Sequence, residues 1–180
     1  MCSSDLNSGS WALRNILGGW QLGGSFHVTS GTRFSVFAAS SRTDFNRDGV
    51  RYDWPLWLGG SQDDFIKENS EGFPYLDPGQ VATPTPPAAA NDLTYYNQNF
   101  VKRNQFTWFP THNIDLSLKK YFKVTMGGRE VTLQLIGEVF NLLKFQNWAL
   151  PTLDYSLGTF GEVTRRIGER TGQISFRVLF

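Results

Sequence analysis

The residues best suited to chemistry form an acidic segment, Asp44-x-Asn46-x-Asp48-Gly49, with Asp53 close behind it. Oxygen ligands at alternate positions, before a glycine that permits a sharp turn, are how calcium loops gather hard ligands. The bidentate glutamate that closes an EF-hand loop has no counterpart here, although Asp53 could replace it. Calcium is therefore the only cofactor that the sequence suggests, and a polar turn held by Asx hydrogen bonds is the alternative.

Catalysis has little support in the sequence. It contains no Gly-x-Ser-x-Gly elbow, no His-Glu-x-x-His motif and no phosphate loop. His27 and His112 fall on predicted strands, where a polar lining is a more ordinary role than a catalytic base. Asp115 and Glu138 could do acid–base work as a pair, but inward charges that hold a barrel wall are the ordinary explanation. We expect that the chain is not an enzyme.

The composition excludes a nucleic-acid partner, a membrane-spanning helix and sites built on cysteine. With 17 basic and 16 acidic residues the formal net charge is +1, so the chain presents no electrostatic footprint for nucleic acid. No apolar run reaches about 18 residues, which excludes a membrane-spanning helix. Cys2 is the only cysteine, so neither a disulfide nor a cysteine-based metal site is available. Aromatic residues make up 15% of the chain, a bias that favours strands with many interfacial rings.

Apolar and polar residues alternate in four segments, which predicts an all-β chain. The segments are residues 20–36, 113–122, 131–142 and 173–180. The first is 17 residues long, whereas roughly 9–11 suffice to cross a bilayer, so we expect this strand to project beyond the membrane. Residues 38–111 show little alternation, and we predict that they form a long irregular loop.

The predicted connections alternate between short and long, which is the asymmetry of outer-membrane β-barrels. Short turns are expected at residues 15–19 and 125–130, and long loops at residues 38–111 and 143–171. This order predicts an antiparallel transmembrane β-barrel fragment of about four to five strands, with short periplasmic turns and long extracellular loops. Aromatic residues fall near the two predicted membrane interfaces: Trp20, Tyr121, Phe122 and Phe180 on the periplasmic side, and Phe106, Trp108 and Phe109 near the upper rim.

Strand parity assigns the two faces of this wall. The apolar parity is expected to face lipid, and Lys120, which interrupts it, could snorkel to the headgroups. The residues expected to line the interior are Gln21, Ser25, His27, Gln134, Glu138, Ser175 and Arg177. Alternation does not separate lipid from a second sheet, so a soluble calcium-dependent β-sandwich that binds carbohydrate or a surface partner stays open. A porin-like channel without energy coupling is a second alternative.

Five short pieces of sequence form a familiar series: Leu17-Gly18-Gly19-Trp20-Gln21-Leu22 with residues 30–36, the Asp44–Pro55 loop, residues 113–120, residues 138–148, and residues 160–163 with 176–180. Together these segments resemble the C-terminal part of TonB-dependent outer-membrane receptors of the Oar-like group. Their order and spacing match over residues 11–180, which we assign to the barrel. Residues 1–10 are a doubtful N-terminal segment, in which residues 2–6 resemble a translated sequencing adapter.

The resemblance implies a wall segment of a barrel that, when whole, has about 22 strands around an N-terminal plug. It implies location in the Gram-negative outer membrane and a structural role in a pore for uptake that TonB energises through the plug. It also implies several partners: outer-membrane lipid, the N-terminal strands and plug, and the barrel-assembly machinery. The terminal Phe176, Val178 and Phe180 resemble the signal that this machinery recognises. Because no secretory signal opens the chain, we expect it to be the tail of a longer protein.

Overall fold

The computed structural model describes residues 15–39, 44–89 and 92–180. Within these ranges the strands are β1 (Trp20–Thr29), β2 (Arg33–Phe34), β3 (Leu56–Trp57), β4 (Ile66–Glu68), β5 (Pro74–Leu76), β6 (Val81–Ala82), β7 (Phe106–Thr107), β8 (Thr111–Met126), β9 (Arg129–Phe140), β10 (Asn147–Trp148), β11 (Arg166–Ile167) and β12 (Thr171–Leu179). The helices include α1 (Gln62–Phe65) and two 3₁₀ turns, Pro78–Gln80 and Tyr95–Asn97. None of the helices in the described residues has the length and apolar composition to span a membrane. The doubtful segment at residues 1–10 lies outside the described residues.

The chain divides into two compact units. The first combines the described residues up to Val28 with His112–Gln146 and Gly168–Phe180, and it is built on a four-stranded sheet in the order β1-β8-β9-β12. The second combines Thr29–Thr111 with Asn147–Ile167 and contains the short strands, which form two-stranded sheets. The prediction of a strand-rich antiparallel chain is therefore confirmed, although the chain also contains short helices and the large sheet is open, not a closed barrel.

The long strands pair in antiparallel register. β8 and β9 pair over 11 positions that end at Met126 and Arg129, and β9 and β12 pair over 9 positions. Gly127 and Gly128 make the connection between β8 and β9, with φ values of 59° and 77°. Positive φ at both central residues is the requirement of a type I′ hairpin turn, which glycine meets without strain. The tight turn predicted at this place is confirmed, and it fixes the register of the hairpin.

The first strand is shorter than the sequence predicts. β1 ends at Thr29, and three residues separate it from β2, so the prediction of a strand that runs unbroken to Val36 is wrong. Beyond Thr29 the backbone hydrogen bonds are made elsewhere, because the Thr32 carbonyl accepts from the Trp108 N–H (2.8 Å) and β2 pairs with β7. Gly31 permits this approach, since a Cβ atom there would stand 1.8 Å from the carbonyl oxygen of Trp108.

We expect Gly31→Ala to destabilise the protein by about 1–3 kcal/mol, because the added methyl group has to displace backbone and not a flexible side chain. The matched control is Gly158→Ala, since a Cβ at Gly158 meets no atom within 4 Å. Urea unfolding of both variants measures the difference. Equal stabilities of the two variants would show that the close approach at Gly31 is not made.

The second unit has its own core, so the prediction that residues 38–111 are irregular is wrong, although they do form a long connection between β1 and β8, which are neighbours in the large sheet. The buried apolar residues of this core are Phe34, Val36, Phe65, Leu76, Val81, Val101, Phe106, Trp108 and Trp148. Burial of each large apolar side chain contributes roughly 1.5–3 kcal/mol, which offsets the entropy lost by ordering a chain with so few long strands. Phe106 and Trp108 are 2% and 3% exposed, so their rings belong to this core, and their position near the upper rim of the barrel stays a prediction.

Helix α1 shows how local sequence supports this core. The hydroxyl of Ser61 accepts a hydrogen bond from the backbone N–H of Asp64 (3.3 Å), and the Asp64 carboxylate accepts one from the backbone N–H of Ser61 (2.7 Å). This reciprocal pair is a capping box, which satisfies amide groups that a helix start otherwise leaves free. The cap holds α1 in place, and Phe65, which ends the helix, is completely buried.

Candidate functional site

Residues of one parity lie on a single face of the four-stranded sheet, and because most of them are polar we call it the polar face. It includes Gln21, Gly23, Ser25 and His27 from β1, Asp115, Ser117, Lys119, Tyr121 and Lys123 from β8, Glu130, Thr132, Gln134, Ile136 and Glu138 from β9, and Gln173, Ser175 and Arg177 from β12. Every residue that the sequence predicted to line an interior lies on this face. That the face lines a lumen stays a prediction.

A hydrogen-bonded chain crosses three strands of the polar face at Tyr121. The Tyr121 hydroxyl donates to Oε1 of Gln21 in β1 (2.8 Å), and it accepts from Nε2 of Gln134 in β9 (3.0 Å). Gln134 is only 5% exposed, so Tyr121 provides a partner to a buried amide. The sequence indicated the parity of Gln21 and Gln134, but it did not indicate that one tyrosine joins them.

We expect Tyr121→Phe to lower the free energy of unfolding by about 1–3 kcal/mol, because it removes two hydrogen bonds and leaves the Gln134 amide without that partner. Tyr75→Phe is the control, since the Tyr75 hydroxyl makes no hydrogen bond within the described part of the chain. Urea titration of both variants gives the comparison. A Tyr121→Phe variant as stable as Tyr75→Phe would rule out this role of the hydroxyl.

Asp115 is a second junction on the polar face. Its carboxylate accepts hydrogen bonds from the Ser25 hydroxyl (3.3 Å), from Nδ2 of Asn113 (2.7 Å) and from the backbone N–H of Asn141 (2.9 Å). The Glu138 carboxylate accepts a hydrogen bond from the side-chain amide of Gln173, its partner in β12. Both carboxylates therefore hold neighbouring strands together, which is the structural role expected of charges on a barrel wall.

The opposite face of the sheet is apolar and exposed, and we call it the apolar face. Its large side chains are Trp20, Leu22, Phe26, Val28, Ile114, Leu116, Leu118, Phe122, Val124, Val131, Leu133, Leu135, Val139, Ile174, Phe176 and Val178. Leu22, Phe176 and Ile174 are 69%, 63% and 83% exposed. An apolar surface that is contiguous over four strands marks contact with a membrane or with another protein.

Comparison with known families indicates where the chain is located. Residues 3–173 match the model of the outer membrane beta barrel domain. The chain belongs to this family. Its location is therefore the outer membrane, and the alternative of a soluble β-sandwich is wrong. No curated protein and no solved structure matches this outer membrane β-barrel protein.

The acidic segment of the outer membrane β-barrel protein satisfies its own oxygen atoms. Asp44 accepts hydrogen bonds from the backbone N–H groups of Asp48 and Gly49, both at 3.0 Å, and Asn46 donates its side-chain amide to Asp48 (2.9 Å). The backbone N–H groups of Asp48 and Val50 also donate to side-chain oxygens two residues earlier, Oδ1 of Asn46 (3.1 Å) and Oδ1 of Asp48 (2.7 Å), which is the Asx-turn arrangement. No group of three or more His, Cys, Asp or Glu side chains in the described residues is placed to hold a metal ion. Calcium binding by Asp44, Asn46, Asp48 and Asp53 stays a prediction, which a calorimetric titration with calcium would test.

Asp53 anchors the acidic segment from outside it. Its carboxylate accepts hydrogen bonds from the backbone N–H groups of Phe45 and Asn46, and its backbone pairs with that of Ala38. Burial raises the pKa of Asp53 above its ordinary value, while the two backbone donors act in the opposite direction. Burial also raises the pKa of Tyr95 to about 12, with a further contribution from the charge of Asp53. The arrangement is that of a structural carboxyl group, which the spacing of the segment alone did not reveal.

Lys120 lies among the apolar parity but does not reach outward as the sequence suggested. The residue is 3% exposed, and its ammonium group donates hydrogen bonds to the carbonyl oxygens of Ile16 and Gly18. The same ammonium lies 4.8 Å from the ring centroid of Trp20 and 5.3 Å from that of Phe122. Cation–π contacts and carbonyl acceptors thus replace the solvent that a snorkelling lysine would seek. Lys120 ties the segment before β1 to β8.

Proposed function

We propose that the chain is the C-terminal wall segment of a TonB-dependent receptor barrel of the Oar-like group, with a structural and non-catalytic role in energy-coupled uptake. The observation that carries the proposal is a two-faced sheet with β1 and β12 as its edge strands in the part of the chain that the structure describes. In a bilayer each unsatisfied backbone group costs several kcal/mol, so strands span it only as closed barrels. Bacterial barrels have at least about eight strands, so these four require partners from further strands.

The two faces fit the two environments of such a barrel. The apolar face would contact lipid, because its exposed side chains are those that a bilayer accepts. The polar face would contact water or a plug in the lumen, because it presents Lys119, Glu138 and Arg177 beside hydrogen-bonded amides. The hydrogen bonds at Tyr121 and Asp115 would keep this wall rigid while a plug moves against it.

The last strand supports the same proposal. β12 carries Phe176 and Val178 on the apolar parity, and Phe180 follows the strand with its side chain fully exposed. In the proposed receptor the barrel-assembly machinery would recognise β12 through this apolar parity. The free edge of β12 would then pair with the first strand of the whole barrel, which removes the unpaired backbone groups from lipid.

The reading frame upstream of this chain tests the proposal. The expected result is an uninterrupted frame that encodes many more strand–turn repeats, preceded by a plug domain and an export signal. A signal peptide directly before Ser10 would contradict the proposal. A frame with further strands but without a plug would replace it with the porin-like channel.

A further inference from the structure

The second unit contains a cavity of about 400 Å³ that none of the roles above uses. Its aromatic lining consists of Trp108, Phe109 and Trp148, and its polar lining includes Thr32, Thr164 and Arg165. Pockets of roughly 300–1,000 Å³ with apolar walls and a few convergent polar groups are typical of small-molecule sites. All the residues that line the cavity belong to the same unit.

The polar groups of the cavity are available for a ligand. The side chains of Thr32, Thr164 and Arg165 make no hydrogen bond or ion pair with the described residues, and Arg165 is exposed. No aspartate or glutamate is among the residues that line the cavity. A guanidinium group and two hydroxyl groups without an opposing carboxylate favour an anion, and a guanidinium fork matches the geometry of phosphate oxygens.

The wall behind these donors is held in place by a second arginine. The guanidinium carbon of Arg166 lies 4.9 Å from the ring centroid of Phe73 and 4.8 Å from that of Trp148. The indole N–H of Trp108 donates to the backbone carbonyl of Trp148 (3.1 Å), and Phe109 packs edge-on against Trp108 with centroids 5.0 Å apart. The aromatic wall is therefore preorganised, and Arg166 adds a fixed positive charge beside it.

We propose that this cavity binds a phosphorylated sugar. Arg165, Thr164 and Thr32 bind the phosphate oxygens, and the sugar ring lies against the aromatic wall, where its apolar C–H face replaces water. A phosphate offers more acceptor oxygens than a carboxylate and so matches this number of donors. Two kinds of molecule present a phosphorylated sugar: a free sugar phosphate, and lipopolysaccharide through its phosphorylated sugar head. The inference goes beyond the proposed transport role and does not depend on TonB coupling.

Calorimetric titration of the full chain in lipid nanodiscs tests the proposal with four probes: glucose 6-phosphate, glucose, inorganic phosphate and vesicles that contain lipopolysaccharide. Glucose 6-phosphate is expected to bind more tightly than glucose or inorganic phosphate. Arg165→Gln is expected to weaken it by about tenfold or more, since it removes a charge-assisted hydrogen-bonding partner. Arg103→Gln is the matched control, because Arg103 is exposed in the same unit and does not line the cavity.

If only the lipopolysaccharide vesicles bind, and the Arg165→Gln variant does not bind them, the site is supported and its ligand is the lipid head. Inorganic phosphate that binds as tightly as glucose 6-phosphate would overturn the role of the aromatic wall. Equal binding by the Arg165→Gln and Arg103→Gln variants would overturn the proposal, and so would the absence of binding by any probe at millimolar concentration. Circular dichroism of both variants confirms that they are folded before titration.

Discussion

Replacing Ile174 with arginine is expected to destabilise the protein in a bilayer, lowering its free energy of unfolding by about 2–4 kcal/mol. Ile174 lies on the apolar face near the middle of β12, where it pairs with Gly137 of β9. Its side chain is 83% exposed in the sheet, and exposed substitutions in water usually change stability by less than about 0.5 kcal/mol. The size of the change in stability therefore distinguishes an apolar face in contact with lipid from one in contact with water.

The neighbouring residue supplies the control for that substitution. Ser175 is also exposed and belongs to the same strand, but it points to the polar face. Ser175→Arg is therefore expected to be close to neutral. Urea unfolding of both variants of the whole barrel in phospholipid vesicles, followed by tryptophan fluorescence, measures the two free energies. If both arginine variants were as stable as the parent chain, contact of the apolar face with lipid would be excluded.

The second large effect is expected in the core of the other unit, where Phe65→Ala should cost about 3–5 kcal/mol. Phe65 is completely buried, and its ring centroid lies 4.5 Å from that of Phe106 and 5.3 Å from that of Trp57. Truncation leaves a cavity between these rings that the surrounding backbone fills only in part. We expect the Thr29–Thr111 segment to open and to become sensitive to thermolysin.

Tyr96→Ala is the control for this prediction, because Tyr96 is 67% exposed and also belongs to the second unit. Limited proteolysis with mass spectrometry locates the cleavage sites in both variants. The expected outcome is cleavage within residues 29–111 of the Phe65→Ala variant alone. Protection of that variant equal to the parent would mean that these residues do not share a cooperative core.

The long strands could be predicted from the sequence because each has room for the two-residue period to repeat. β8, β9 and β12 follow the alternating segments, and Gly127-Gly128 marks the turn between two of them. Parity also placed the predicted interior residues on one face. The partners of Tyr121 and Asp115 could not be predicted in this way, because they depend on the register of three strands at once.

The second unit could not be predicted by the same means. Its strands are two or three residues long, too short to show a period, and its core joins residues as distant as Phe34 and Trp148. The aromatic residues of this unit recur at no regular interval in the sequence, yet their side chains are buried in the core. Lys120 illustrates a related limit, since the sequence indicates a cation on an apolar face but not the carbonyl oxygens of Ile16 and Gly18 that accept its hydrogen bonds.

The central claim is that the two faces of the sheet meet lipid and water respectively, and spin-label scanning along β9 tests it most directly. Single cysteines at residues 131–139, introduced into the whole barrel with Cys2→Ser, would carry the label in lipid vesicles. We predict a period of two: labels at Val131, Leu133, Leu135 and Val139 are accessible to oxygen dissolved in lipid, and labels at Thr132, Gln134 and Glu138 to a water-soluble nickel complex. Equal access of the nickel complex at both parities would contradict the account.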